Sequence, residues 1–180
     1  EFNKTTSFPL QYMTQVSINL AQDEELLQLF YEARFTKAFI GIETPRQESL
    51  RETNKGQNLR TDLPAAIRKI QSYNIDVSAG MIVGFDHDDP SIFQEQFDFI
   101  MKTNIAWAMT GILQAVPKTP LYKRLKQENR LVTSTDYSAL NNTALDINII
   151  PKNMTKEELV AGYKWLVQQL YSYENYAKRV

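Results

Sequence analysis

Four short runs of strand-forming residues alternate with amphipathic stretches over the first 131 residues of this chain. The runs lie at 13–20, 37–43, 74–86 and 106–116. After each run, apolar residues recur at the three- and four-residue spacing of a helix. This alternation is typical of parallel strands joined by right-handed helical crossovers. We therefore predict an α/β fold in which residues 1–131 form four parallel βα units.

The residues after 131 follow a different pattern, and we assign 132–180 to a C-terminal extension. Its first part is irregular. Thr155 and Glu158 then have the spacing of a capping box, which predicts the start of a helix. One apolar stripe continues from there and predicts a single amphipathic helix of about 24 residues: Leu159, Tyr163, Leu166, Leu170, Tyr173 and Ala177. The helix either packs over the rest of the chain or is offered to a partner.

Composition excludes several classes of function. The net charge of -1 gives no basic surface for nucleic acid or anionic membranes. No apolar run reaches the roughly 18 residues of a membrane helix, and no secretory signal is visible, so we expect a cytoplasmic protein. The chain has no cysteine and one histidine, which rules out thiolate ligands, a thiol nucleophile and a zinc site. We predict neither a catalytic side chain nor a metal site in this chain.

One face of the predicted sheet carries small or polar residues. They are Gln15, Ser17 and Asn19, then Gly41 and Glu43, then Ser78, Gly80, Ile82 and Gly84, and finally Thr110, Ile112 and Gln114. A closed barrel fills its interior with Val, Ile and Leu, so this face indicates room for a bound molecule. A hydrated edge or a different register explains it equally well. Ligands of α/β folds bind at the carboxyl ends of the strands, where this chain places Asn19, Glu43, Asp86 and Gln114.

Two further motifs carry weaker signals. The sequence "DHDD" (86–89) is either a metal cluster or, as we favour, a helix cap supplied by Asp88 or Asp89. The loop "NKGQNLR" (54–60) offers Lys55, the Gly56 backbone and Arg60 to a phosphate, but it lacks the spacing of a phosphate-binding loop.

Several motifs together resemble the later strands of radical S-adenosylmethionine (SAM) enzymes. They are "FIGIETP" (39–45), "SLRETNKGQN" (49–58), "AGMIVGFD" (79–86) and "ILQAVPKTPLYKRL" (112–125). The likeness is closest to the group that has an upstream cobalamin-binding domain. Residues 137–180, with "NIIPKNMTKEELVAGY", resemble the C-terminal extension of uncharacterised members. The resemblance implies that the four units are strands 3–6 of a TIM-like partial (β/α)₆ barrel, which is half of that barrel.

The resemblance also implies a chemistry that this chain cannot perform alone. Family members bind a [4Fe-4S] cluster through a CxxxCxxC loop after their first strand and cleave SAM reductively to a 5′-deoxyadenosyl radical. That loop and the first two strands are absent here, and the chain begins at Glu1 without a methionine. We therefore expect an inactive piece of a longer SAM- and cluster-dependent enzyme, with cobalamin bound by an upstream domain.

Seven positions match family positions near the cofactor, and the resemblance implies that they bind SAM. Ser17 and Asn19 match positions facing its polar groups, and Glu43 matches an acidic residue close to it. Gly80, Ile82 and Gly84 match the strand beside adenine, and Gln114 lies where the family meets adenine or substrate. Glycine leaves room for a ring against the strand, while the methionyl group needs polar partners. This chain departs from the family at His87, where Glu is frequent, and at Lys118, where Gly is usual.

The expected partner is the missing N-terminal half of the barrel. A half-barrel has open strand edges and a half-exposed inner face, so we expect either self-association of the isolated chain or cover from the terminal helix or N-terminal residues. The alternative function is a non-catalytic module that binds a small molecule or a protein on the same scaffold. A CxxxCxxC motif upstream of Glu1 would favour the enzyme, and a natural start near Glu1 would favour the module. The substrate and the reaction subtype are not readable from the sequence.

Overall fold

The computed structural model describes residues 5–7, 9–53, 55–132 and 147–180. Within them, one sheet contains four parallel strands in the order β1-β2-β3-β4. The strands are β1 (Tyr12–Val16), β2 (Phe35–Glu43), β3 (Asp76–Val83) and β4 (Trp107–Ile112). Each strand pairs with its neighbour in sequence, so the predicted α/β fold of parallel βα units is confirmed.

Several helices begin where a side chain accepts hydrogen bonds from free backbone N–H groups. Asp23, Asp62, Thr119 and Thr155 each accept a hydrogen bond from the first turn of the helix that follows them. No helix of the described residues is long and apolar enough to cross a membrane. The helices are α1 (Glu24–Glu32), α2 (Gln47–Glu52), α3 (Gly56–Leu59), α4 (Leu63–Gln71), α5 (Ile92–Lys102), α6 (Pro120–Gln127), α7 (Lys156–Leu170) and α8 (Tyr173–Ala177).

The hydrophobic core lies between the helices and one face of the sheet. Every second residue of β3 is buried against the helices, which is the period of a strand. The helix side contributes residues at helical spacing, such as Ile67 and Ile70 of α4 and Ile92 and Ile100 of α5. We call the opposite face of the sheet, which these helices leave free, the inner face.

Three strands end earlier than the sequence pattern predicts, among them β3, which stops at Val83 rather than at residue 86. The first strand stops at Val16, and residues Ile18–Gln22 form a 3₁₀ helix instead. Ser17 is the reason, because its side chain accepts a hydrogen bond from Asn19 N at 3.1 Å and caps that helix. The last strand stops at Ile112, so Gln114 follows the strand rather than lying in it.

The turn before α6 has the geometry that glycine usually provides. Lys118 adopts a φ of 71°, in the left-handed region of backbone space. This is the position at which the resemblance implies glycine. The turn is therefore retained here with a strained residue, at a cost of about 1 kcal/mol.

The C-terminal extension forms two helices instead of the predicted single one. Helix α7 ends at Leu170, and Ser172 caps α8 by accepting a hydrogen bond from Asn175 N at 3.3 Å. Helix α7 packs on α5 and β4, where its residues Leu159, Leu166 and Leu170 are buried. Most of the irregular segment predicted before it lies outside the described residues, and the domain boundary at 131 stays a prediction.

The predicted capping box at the start of α7 is confirmed, and it gives a test of this helix. Thr155 Oγ1 accepts from Glu158 N at 3.1 Å, and Glu158 Oε2 accepts from Thr155 N at 2.7 Å. We expect Thr155→Ala to lower the free energy of unfolding by about 1 kcal/mol, because the first turn loses its acceptor. Urea denaturation measures the change. Thr155→Ser keeps the hydroxyl and is the matched control; equal loss in both variants would contradict a capping role.

Candidate functional site

The inner face of the sheet is an exposed, largely apolar wall. The strand register aligns Gln15 with Phe39, Gly41 with Gly80, Gly80 with Met109, and Ile82 with Gly111. Met13, Trp107 and Met109 are 64%, 41% and 40% exposed. The predicted mixture of small and polar residues is therefore only partly right. The prediction that Thr110 and Ile112 lie on this face is wrong. Both side chains are buried on the helix side of β4.

A salt bridge between Glu43 and Lys55 lies at the carboxyl end of this wall. The sheet register shifts between Gly41 and Glu43, and Glu43 has a φ of 69°. That irregularity turns the carboxylate back over Gly41, where the Lys55 ammonium also approaches Gly41 O at 3.4 Å. Any Cβ at Gly41 would overlap Lys55 Nζ and lie 2.6 Å from Glu43 Oε1. A side chain at this position would therefore displace the ends of both ion-pair partners, and glycine lets them lie over the strand.

A buried asparagine holds the same strand end from the other side. Asn58 donates from its side-chain nitrogen to Gly41 O at 3.0 Å and to Ile42 O at 3.1 Å. These carbonyls stand where the register shift breaks the regular ladder. Asn58 thus adds a second donor to each carbonyl, since Gly41 O also receives Lys55 Nζ and Ile42 O also accepts from Thr44 N at 3.0 Å. The loop considered above as a phosphate site serves, through Asn58 and Lys55, to fix the irregular end of β2.

Two adjoining cavities flank the ion pair, and together we call them the groove. One, of about 180 Å³, lies on the inner face over Phe39, Gly80 and Met109. The other, of about 260 Å³, lies at the carboxyl ends of the strands. Both include Glu43, Lys55 and Ile82. The second cavity is mainly apolar, through Phe85, Leu113 and Leu121. Its polar lining also includes Glu52, Thr53 and Arg124.

A larger cavity, of about 500 Å³, lies elsewhere and is a weaker candidate. It is lined by the segment from Pro45 to Pro64 and by Phe99 of α5, on the helix side. Its buried polar residue, Asn58, already donates to strand carbonyls. Ligands of parallel α/β folds bind at the carboxyl ends of strands, so the groove is the better site.

Gly80 leaves the strand surface beneath the groove without a side chain. A Cβ added there would approach the Phe39 ring at 3.1 Å and Gly41 Cα at 3.7 Å. Gly41 and Gly80 are also neighbours in the strand register. Two adjacent backbones without side chains make a flat, open patch beside the Glu43–Lys55 pair. A planar ligand could contact the strands directly at this patch.

Gly84 does not share this face with Gly80 and Ile82, contrary to the sequence prediction. It follows the end of β3 and has a φ of 101°, which favours glycine. A Cβ at Gly84 would lie 3.2 Å from Leu159 Cδ2 in α7. The glycine thus allows a turn that packs against the C-terminal extension. Strand periodicity could not reveal this, because the strand ends one residue earlier.

The remaining predicted site residues are not in the lining of the groove. Ser17, the cap of the 3₁₀ helix after β1, and Asn19 within that helix are both exposed. Gln114 is partly buried in the loop after β4. Of the seven predicted residues, the structure brings Glu43, Gly80 and Ile82 together in the groove lining. The sequence analysis did not pair Lys55 with Glu43. The one feature of the sequence that could have suggested this ion pair is the presence of a lysine in the loop that follows β2.

The turn after β3 depends on a buried carboxylate. Asp88 accepts hydrogen bonds from Gly84 N at 2.8 Å, Phe85 N at 3.1 Å and Ser49 Oγ at 2.6 Å. Burial raises the pKa of Asp88, and these hydrogen bonds only partly oppose that effect. Among the described residues, no group of acidic, histidine or cysteine side chains could hold a metal ion. The metal alternative for "DHDD" is therefore not supported.

The predicted helix cap in this motif is also wrong in detail. The N-cap of α5 is Ser91, which makes no side-chain cap hydrogen bond. Asp89 instead accepts from Ser91 N at 2.8 Å, one residue before the helix. Arg46 reinforces this corner by donating to His87 O at 2.8 Å and by pairing with Glu95.

Charged side chains connect the same turn to three other parts of the chain. Asp86 pairs with Arg124 of α6 and with Arg130, whose Nη2 lies 2.7 Å from Asp86 Oδ1. Glu52 of α2 accepts from Asp86 N at 3.1 Å and contacts His87 Nδ1 at 2.6 Å. Burial acts to raise the pKa of Asp86, but the hydrogen bonds from the two arginines outweigh it and lower the pKa.

We expect Asp86→Asn to destabilise the fold in a pH-dependent way. Removing the carboxylate takes one ion-pair partner from Arg124 and from Arg130, which both also contact Glu128, at a cost of about 1–3 kcal/mol at neutral pH. The pKa of Asp86 is lowered from 3.8 in the folded chain, so its stabilising effect is present above that value. It is lost as the pH falls through the folded-state pKa.

Urea denaturation between pH 2 and 7 therefore measures the difference between wild type and Asp86→Asn, which should shrink only below about pH 4. Glu174→Gln is the matched control, because Glu174 of α8 is exposed and, within the described part of the chain, forms its ion pair with Lys178. A difference between wild type and Asp86→Asn that does not change with pH would contradict a stabilising carboxylate at Asp86.

Comparison with known proteins adds a family relationship to this geometry. The chain is 34% identical over 179 residues to hopanoid C-2 methylase of Rhodopseudomonas palustris. It is 36% identical over 172 residues to an uncharacterized methyltransferase of Synechocystis sp.. It is 25% identical over 171 residues to bacteriochlorophyllide d C-12(1)-methyltransferase of Chlorobaculum tepidum. Residues 119–180 match the model of a domain of unknown function, DUF4070.

The matches cover nearly all of this chain but only part of each relative. They span 99%, 96% and 95% of the chain, and 32%, 32% and 36% of the respective relatives. The chain therefore spans about a third of the length of these methyltransferases. The DUF4070 match begins at the cap of α6, so it includes that helix as well as the C-terminal extension. These findings confirm the resemblance predicted from the strand motifs.

Proposed function

We propose that this chain, which is related to radical SAM methyltransferases, is the SAM-contacting half of the barrel of such an enzyme. The observation that carries the proposal is the Glu43–Lys55 ion pair held over Gly41 beside Gly80. It places one anion and one cation next to a flat backbone patch, at the carboxyl end of a parallel sheet. Those are the features that a zwitterionic nucleoside requires.

The residues of the groove fit SAM by their chemistry. The Glu43 carboxylate can accept from an ammonium, and the Lys55 ammonium can donate to a carboxylate. Gly41 and Gly80 leave the strand backbones open to a planar ring, and Ile82 offers an apolar side chain beside it. The apolar residues Phe85, Leu113 and Leu121 would exclude water from the carboxyl-end cavity. When bound and reduced, SAM supplies the radical chemistry, while these residues bind and orient it.

The iron-sulfur cluster does not fit this chain. Such clusters are held by cysteine thiolates, and the 180 residues contain no cysteine. We infer that the cluster ligands, and a cobalamin-binding domain, belong to other parts of the longer protein. The exposed inner face is then covered by the N-terminal half of the barrel. In the isolated chain the same wall, with Met13, Trp107 and Met109, favours self-association.

The groove is tested by substitutions of its charged pair in the full-length protein. We expect Glu43→Gln and Lys55→Met each to raise the Kd for SAM about tenfold or more, because each removes a charged hydrogen bond to the ligand. Equilibrium dialysis with radiolabelled SAM measures binding directly, and the formation of 5′-deoxyadenosine measures turnover. Glu48→Gln is the matched control, since Glu48 lies on α2 with 57% of its side chain exposed. Equal SAM affinity in all three variants would refute this binding site.

The assignment of the cluster to another segment has its own test. We expect the 180-residue chain, incubated anaerobically with iron and sulfide, to show no absorbance band of a [4Fe-4S] cluster. The full-length protein under the same conditions is the positive control. A stable cluster spectrum from the isolated chain would show that the ligands do not have to come from elsewhere.

A further inference from the structure

The outer edge of β4 is occupied by side chains of the C-terminal extension. The edge strand of a sheet presents unpaired N–H and C=O groups, and residues two apart present them on the same side. On β4, Ala108 and Thr110 are such residues. Tyr171 Oη accepts from Ala108 N at 3.1 Å and donates to Ala108 O at 2.9 Å, while Tyr163 Oη donates to Thr110 O at 3.2 Å.

A third side chain continues the series beyond the strand. Asn148 Oδ1 accepts from Ala115 N at 3.0 Å, and Asn148 Nδ2 donates to Ala115 O at 2.8 Å. A side-chain amide thus pairs with both backbone groups of one residue, as a peptide of a neighbouring strand would. Asn148 is fully buried, so the pair is shielded from water.

We propose that the C-terminal extension acts as an edge cap: its side chains occupy the hydrogen-bonding positions of a fifth strand, so that the sheet ends at β4. This assigns a role to the part of the chain that matches a domain of unknown function. The cap closes one side of the half-barrel to strand addition and leaves the β1 side for pairing. The role does not depend on which ligand the groove binds.

The chemistry of the two tyrosines suits this role. Burial raises the pKa of both Tyr163 and Tyr171, so both hydroxyls keep the proton that they donate. A phenol is long enough to reach from a helix to a strand edge. It can also donate and accept at once, as Tyr171 does at Ala108.

Arg179 is a positioning residue for this cap. Its guanidinium carbon lies 5.8 Å from the ring centroids of both Tyr171 and Tyr176, and the group donates to Leu170 O. The residue is only 5% exposed, and neither Nε nor Nη1 has a hydrogen-bond partner among the residues that the structure describes. Stacking on Tyr171 therefore accounts for a buried cation in a position where hydrogen bonding alone does not.

Hydrogen exchange at the Ala108 amide tests the proposal, measured in the full-length protein by residue-resolved mass spectrometry. We expect this amide to be protected in the wild type. In Tyr171→Phe it should exchange about tenfold faster, because the variant keeps the ring but removes the acceptor. Tyr173→Phe makes the same chemical change at a residue that is 91% exposed, and it should leave the rate unchanged.

Two further measurements keep the test decisive. The amide of Met81, inside β3, reports global unfolding and should be equally protected in every folded variant. Arg179→Lys keeps the charge but loses the planar group; we expect faster exchange at Ala108 with Met81 unchanged. An unprotected Ala108 amide in the wild type would overturn the proposal even if Tyr171→Phe did not fold. Equal rates in Tyr171→Phe and Tyr173→Phe would overturn it as well.

Discussion

The turn that follows β3 depends on the buried carboxylate of Asp88. One oxygen receives the N–H groups of Gly84 and Phe85, and the other receives the Ser49 hydroxyl. That arrangement fixes the direction in which the chain leaves the sheet and ties it to α2. The neighbouring residues then become attachment points: Glu52 holds the amides of Asp86 and His87, and Asn153 donates to Asp86 O at 2.7 Å. The carboxyl-end rim of the groove is therefore assembled from distant segments around one desolvated acid.

The groove shows how one irregular residue can create a binding surface. A regular continuation of β2 would put Glu43 on the same face as Gly41 but about 7 Å further along the strand. The register shift and the positive φ of Glu43 bring a carboxylate back over the strand, where it meets Lys55. Backbone strain of this kind costs about 1–3 kcal/mol and persists only when its surroundings fix it. Here Asn58 and Lys55 supply those constraints from a single loop.

Periodicity was sufficient for the order of strands and helices, for parallel pairing, and for the start of α7, because these depend on patterns within short windows. It failed where a local hydrogen bond competes with the pattern. Ser17 caps a 3₁₀ helix although the alternation of Val16, Ile18 and Leu20 continues past it. Ser172 divides an apolar stripe that reads as one helix. Only part of the site could be predicted from the sequence. Glu43, Gly80 and Ile82 line the groove as expected, whereas Gly84 lies against α7. The pairing of Glu43 with Lys55 depends on tertiary geometry that no spacing encodes.

The edge cap has a consequence for the order in which this protein is made. Ala108 and the tyrosine that occupies its edge are separated by 63 positions in the chain. At a synthesis rate of about 5–20 residues per second, β4 waits roughly 3–13 seconds for the helix that covers it. During that interval the nascent sheet presents an unpaired strand next to an apolar wall. The period of greatest risk for misassembly therefore falls between the synthesis of β4 and that of Tyr171, and protection of the nascent chain by a chaperone would matter most there.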